Sequence, residues 1–177
     1  MADWFWYFMI YSFFGYCLEK LFAYATHSPR QVRKCFLLLP LCPVYGLGMI
    51  AVLLLTSPAF PFWIRAVLGG ILCTTVEYFV HYFYDKVFQA QFWDYSDLPH
   101  HLDGRVCPHF ALIWGILSAV AAQYIHPVTA AAVPGISPAV TFGAWMILAV
   151  DCVLTSALLH RCHDTELLSL SALLAQE

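Results

Sequence analysis

Charge is what this sequence has least of: eight Lys and Arg and eleven Asp and Glu among 177 residues, 11% in all, with a formal net charge of −3. That is too little to coat a water-soluble domain whose composition is 62% hydrophobic with a mean hydropathy of +0.72. With no basic stripe anywhere, it also excludes nucleic acid as a partner. Other absences narrow the class further. None of the nine glycines belongs to a G-x-x-x-x-G-K-[ST] stretch, so ATP hydrolysis of the Walker kind is not expected of this chain. The seven cysteines (Cys17, Cys35, Cys42, Cys73, Cys107, Cys152 and Cys162) are odd in number and form no C-x-x-C pair, which argues against a disulfide framework. The opening Met-Ala-Asp-Trp has no basic n-region, and no cleavable signal peptide is expected. No internal repeat is evident, which weakens a self-contained inverted-repeat transporter.

What is present is a series of apolar runs close to the roughly 20 residues that cross a hydrocarbon core. They are Trp4–Phe22, Cys35–Leu55, Pro61–Phe83, His109–Tyr124 and Val140–Leu159, and they predict an all-α polytopic bundle of about five transmembrane spans. Pro40 and Pro43 break the second run, so its first third is expected to be kinked or re-entrant, with protein or water serving the freed backbone groups. Seven of the eight basic residues, Lys20, Arg30, Arg33, Lys34, Lys86, Arg105 and Arg161, fall on one side of this arrangement. The positive-inside rule makes that side cytoplasmic, with the N-terminus outside and the C-terminus inside. Arg65 is the exception and is expected to snorkel to the outer surface. Trp4, Trp6, Tyr7, Phe62 and Trp63 suit an outer aromatic belt and Trp93 an inner one.

We divide the chain into one membrane domain over 1–163, with a cytoplasmic loop at 85–106, and a short amphipathic tail over 164–177. Phe88, Phe92, Trp93, Tyr95 and Leu98 give the loop apolar anchors, so it should fold back on the inner face. In the tail, Leu167, Leu170 and Leu174 share one helical side and could lie on the membrane or on a partner. The stretch Pro127–Ser137 reads as an outer turn. Gly115, Ser118, Ala119 and Ala122 form a small-residue face for close helix contact.

The acids inside the spans carry the functional signal. Glu77 lies in the middle of the third run, Asp151 inside the fifth, and Glu19 near the end of the first. A carboxylate at such depth costs about 2.5–3.5 kcal/mol on insertion scales and persists facing a partner or a watery interior. Glu77, His81 and Asp85 recur every four residues on one helical side and could bind a cation, relay protons or position a polar head group; plain polar packing is the competing account. Asp151 stands four residues before Thr155. In a tight bundle Glu19, Glu77 and Asp151 could share one cavity with Arg105 as counter-ion, or Arg105 could be an interfacial anchor. His109 begins the fourth run at the same level, where a packing role outweighs ligation. Cys42, between Pro40 and Pro43, is a weak candidate nucleophile in a broken segment, as is Ser96 in the loop. The residues identify no cofactor, and no metal site is assigned.

Several stretches, in order, resemble one family. They are Tyr11-Ser12-Phe13-Phe14-Gly15 with Glu19, Pro40-Leu41-Cys42-Pro43-Val44-Tyr45-Gly46, Thr74-Thr75-Val76-Glu77-Tyr78, Phe92-Trp93-Asp94-Tyr95-Ser96, Gly104-Arg105-Val106 and Trp114-Gly115. Together they are similar to the CmpB family, labelled ABC-transporter permease, type IV. The chain departs from the family pattern at His81, where Gly is common, at His101 and Asp103, where Asn is frequent, and at Ala111, where Ser is common. The resemblance implies a small multipass protein of a cytoplasmic membrane, bacterial in the family's usual setting. Its acids and its loop motif of Trp93, Asp94, Tyr95, Ser96 and Gly104 would form one unit.

Three functions are compatible with these features. A permease-like transport component would use Glu19, Glu77, His81, Asp151 and Arg105 as a substrate or proton path, with Cys42, Tyr45 and His109 as further candidates. It would sit in the lipid bilayer and could call on a separate ATPase subunit or a second copy of itself. An intramembrane enzyme would act on a lipid or other amphiphile at the cytoplasmic leaflet, with an acid as catalyst and Arg105 as head-group clamp. An assembly subunit would use the acids only to fix helix register.

Overall fold

Four apolar helices with aromatic or small-residue faces, and a fifth broken short by proline, make up the computed structural model, which describes residues 2–26 and 35–162. The stretches 27–34 and 163–177 fall outside the described residues, and with them Arg30, Arg33, Lys34 and the amphipathic tail. Helix α1 is Ala2–Ala25, α2 Pro43–Leu55, α3 Phe62–Phe88, α4 the rod Pro108–Gly135, and α5 Pro138–Cys162. Among the described residues there is no strand, only an isolated bridge between Leu102 and Val106. The all-α bundle of apolar helices expected from the sequence is therefore what forms. Three helices, Phe62–Phe88, Pro108–Gly135 and Pro138–Arg161, are long and apolar enough to cross a membrane. At 24 residues α1 is about 36 Å long, enough to cross as well, but its polar-tipped Trp and Tyr residues and Asp3, Glu19 and Lys20 lower its hydropathy. Exposed Phe142, Trp145, Ile147, Val150 and Val153 on α5 suit contact with lipid tails.

Two expected boundaries are corrected. The second run is a helix of only 13 residues, because Pro43 occupies its first turn and Pro40 precedes it. Residues 35–42 run as a non-helical arm beside it. The fourth run does not end at Tyr124 with an outer turn at Pro127–Ser137. It continues through a π-helical stretch, Ala121–Ile125, into His126–Ala132 and a 3₁₀ turn at Val133–Gly135. Pro127 has no amide hydrogen and its ring crowds the carbonyl four residues back. The wider π turn absorbs that conflict without breaking the rod. Arg65 is corrected too. It does not snorkel but is buried, and its Nη2 donates to Gln123 Oε1 on the π stretch at 2.8 Å.

Small residues set the helix spacing. A methyl group on Gly70 of α3 would lie 2.9 Å from the Ala111 carbonyl oxygen and 3.5 Å from Gly115 Cα on α4, so this pair packs backbone to backbone. The small-residue face expected on the fourth run is thus its contact with α3. At one end of the bundle, Trp6 Nε1 donates to Thr141 Oγ1 at 3.0 Å, and Tyr7 meets the His126 ring edge-on. The loop 89–107 caps the opposite end.

The arm over 35–42 lies within the protein without helical hydrogen bonds, so each amide needs another acceptor. Leu38 N donates to Asp151 Oδ1 at 3.2 Å and Leu39 N to Asp151 Oδ2 at 3.1 Å. Leu41 N turns to Leu39 O, and Cys42 N reaches Ser12 O on α1 at 2.8 Å. Asp151 is buried and also accepts from Thr155 Oγ1 at 3.3 Å. Removing its carboxyl strands two half-buried amides, a loss of about 1–3 kcal/mol. Asp151→Ala should lower thermal stability accordingly and raise the rate of maleimide labelling at buried Cys35 and Cys42. Asp151→Asn, which keeps one acceptor, should lie between.

Candidate functional site

The third helix carries Glu77 into the interior because both of its oxygens find donors. Tyr95 Oη donates to Oε1 and Trp114 Nε1 to Oε2, each at 2.9 Å. Tyr95 comes from the loop and Trp114 from α4, so one carboxylate joins three parts of the chain. Trp114 also meets the Tyr45 ring edge-on at 4.9 Å, and Tyr45 Oη donates to Glu19 Oε1 at 2.7 Å. The Tyr95 ring stacks on Phe110 at 4.8 Å. Glu19, Tyr45, Trp114, Glu77 and Tyr95 thus form a continuous polar and aromatic series across α1, α2, α4, α3 and the loop.

Two cavities meet at this series. A small chamber of about 30 Å³, mostly apolar in its walls, contains the two carboxylates Glu19 and Glu77 beside Cys42, Tyr45, Tyr95 and Trp114, with Cys35 and Phe36 of the arm. Beside it lies an apolar cavity of about 330 Å³ between α1, α2, α3 and α4. Val44, Tyr45, Glu77 and Trp114 belong to both.

The loop holds its shape through its own turn chemistry. Asp94 Oδ1 accepts from the Ser96 amide at 2.9 Å and from the Ser96 hydroxyl at 2.6 Å. The hydroxyl first, and then the amide, hold the Asp94 carboxyl below its ordinary value. A carboxyl depressed in the fold supports the turn at neutral pH and loses that support as pH falls through its lowered value. Gly104 stands at φ +67°, and a Cβ there would lie 2.5 Å from Ser96 Oγ and 2.7 Å from Asp94 Oδ1. Its carbonyl accepts from the Tyr95 amide at 2.7 Å, and its amide donates to His101 Nδ1 at 3.0 Å. The turn therefore sets the level at which Tyr95 enters the bundle. As expected, the loop folds back on its aromatic anchors: Phe88 and Tyr95 are buried, Phe92 packs on Tyr84, and Tyr84 stacks on Phe36 of the arm.

The remaining candidates separate. His81 donates from Nε2 to the Trp93 carbonyl at 3.0 Å, and Trp93 Nε1 donates to the Arg105 carbonyl at 3.0 Å. Arg105 does not face Glu19, Glu77 or Asp151. Its Nη2 donates to Asp85 at 2.9 Å, and its guanidinium lies over Tyr78 and Tyr82. Glu77, His81 and Asp85 share a helix side, yet each turns to its own partner, and among the described residues no three His, Cys, Asp or Glu converge on a metal position. Asp151 is engaged with the arm and lines neither cavity. Cys42 is buried in the chamber wall rather than presented to solvent, and His109 is exposed against Phe110. Ser96 is exposed in the turn. The residue that sequence reasoning underrated is Trp114. An indole within an apolar helix needs an acceptor for its N–H, and a buried carboxylate one helix away was the available signal.

A family model described as "Putative ABC-transporter type IV" matches residues 6–156. Neither the curated proteins nor the solved structures compared with the chain give a match.

Two outcomes test the site's construction. Glu77→Ala leaves the Tyr95 hydroxyl and Trp114 indole without that acceptor and should cost about 2–4 kcal/mol in unfolding measurements, while Glu77→Gln, retaining an acceptor oxygen, should cost clearly less. Gly104→Ala meets both the positive φ and the Ser96–Asp94 contact and should cost about 1–3 kcal/mol. A melting temperature equal to that of the parent chain would contradict either one.

Proposed function

Because the chain belongs to the ABC-transporter type IV family, we propose that it is the permease-like membrane component of a transporter energised by a separate ATPase subunit. Glu77 is the group that handles cargo. One observation carries this reading: Glu77 lines both the small chamber and the apolar cavity, and one of its donors, Tyr95, comes from the loop outside the helices. A subunit that presses on the loop therefore acts directly on the ligand shell of a buried carboxylate. The exposed side of the loop, with His100, His101 and Asp103, is the docking face for that subunit. Lys86 and Arg105 beside it support a cytoplasmic setting for this face by the positive-inside rule, and with it an outside N-terminus. A second copy of the chain completes the path, since five helices enclose little space for one. Glu19 joins Glu77 in cargo handling through Tyr45, while Asp151, Arg105 and His81 hold the arm and loop in position.

One feature favours a second reading, an intramembrane enzyme for an amphiphile: the chamber holds only about 30 Å³, too small as it stands to pass a bulky polar solute. Such an enzyme would release a cleaved product without ATP.

The full chain, isolated from its own membrane under mild conditions that preserve partners, should carry ATP hydrolysis. A charge change at His101 and Asp103 together should lower it by about tenfold through loss of the subunit. Glu77→Gln should keep the subunit bound yet abolish ATP-driven export or uptake in reconstituted vesicles. Isolation of an intact complex without any ATP hydrolysis would overturn the proposal.

A further inference from the structure

We propose that the cargo is a single-chain amphiphile, its alkyl tail lying in the apolar cavity between α1, α2, α3 and α4 and its head group donating hydrogen bonds at the Glu77 end. The inference rests on the reading of Glu77 as the cargo-handling group and adds to it the chemical class of the cargo. At about 330 Å³ the cavity falls in the ~300–1,000 Å³ range of small-molecule sites, and it exceeds the ~150 Å³ that admits a benzene ring. Its walls are almost wholly apolar, and the ionisable carboxylate among them is Glu77. Leu18, Leu21 and Ile125 among its walls are also exposed apolar side chains, a surface from which an alkyl tail can enter.

The polar end sets the head group. The cavity shares Tyr45, Glu77 and Trp114 with the small chamber beside it, whose walls add a second carboxylate, Glu19. The Glu77 oxygens act as acceptors to Tyr95 and Trp114, so a head group that donates, a hydroxyl or an ammonium, is matched, whereas a carboxylate head has no donor to offer. A tail alone would gain nothing over surrounding lipid, because lipid chains are as apolar as the cavity walls. Selectivity therefore resides at the carboxylate end, and tail length only decides whether the head reaches it.

The test uses the full chain in lipid nanodiscs without ATP or partner, with photoreactive analogues of dodecylamine, dodecanol and dodecanoate carrying a diazirine at the tail end. The amine and the alcohol should label cavity residues such as Leu117 and Ala121, with unlabelled dodecylamine suppressing the labelling by about tenfold. Dodecanoate should not. Ala121→Trp should fill the cavity and suppress labelling to the same extent while the melting temperature stays near that of the parent. Leu18→Trp, from the opposite wall, does the same if the first variant is unstable. Labelling spread evenly over lipid-facing residues such as Phe142 and Val153, without competition, would mean bulk lipid only and overturn the proposal. Equal labelling by dodecanoate would overturn the head-group assignment, and absence of cavity labelling, because the chain's tail or a second copy covers it, would overturn the site. Saturable labelling in a protein that carries no ATPase would instead remove the permease reading and leave the amphiphile site standing. An ATPase-bearing complex without labelling would do the reverse.

Discussion

The fold depends on the satisfaction of one buried carboxylate. Glu77 lies inside a helix whose other faces meet lipid or protein, where an unserved charge would be intolerable. The solution brings a tyrosine in from a loop and a tryptophan in from the next helix, one to each oxygen. Those two hydrogen bonds require α3 and α4 to run close, which the glycine contact between Gly70 and Gly115 permits. They also require the loop to fold back on the bundle, which its aromatic anchors achieve. Electrostatics and packing therefore specify the same arrangement.

Asp151 solves the complementary problem. There the costly element is an uncoiled backbone, not a charge, and the carboxyl supplies acceptors to the amides of Leu38 and Leu39. The arm that results forms part of the chamber wall through Cys35, Phe36 and Cys42. Two intramembrane acids that look alike in sequence thus have different duties. One borders the cavities, and the other holds the segment that encloses them. Arg105 illustrates the same division from the basic side: paired with Asp85 and laid over two tyrosine rings, it stiffens the loop and not the chamber.

Val44, Tyr45, Glu77 and Trp114 line both a small chamber that holds two carboxylates and a larger apolar cavity. A molecule confined to either would ignore the other, whereas one with a polar head and an apolar tail would use both. The loop that supplies Tyr95 also sends Phe92 and Trp93 into the chamber wall, which links the protein surface to its interior.

Hydropathy and period made the helices legible, because lipid-facing runs must be apolar and their backbones must bond internally. The burial of Glu77 and Asp151 within such runs was readable in the same way, and Pro40 and Pro43 marked the break before α2. Local turn chemistry in Trp93-Asp94-Tyr95-Ser96 and at Gly104 was also readable from residue type alone. Partners were not. Which donors reach Glu77, that Asp151 serves the arm, that Arg105 turns to Asp85 and that Arg65 is buried against Gln123 all depend on helix rotation and spacing, which glycine contacts and a π turn set over long sequence separations. Residue order alone was enough to read a helical membrane protein with acids inside its apolar runs. Which acid borders the cavities came from the folded arrangement, because it follows from which donors come within about 3 Å, and a one-dimensional pattern holds no such distance.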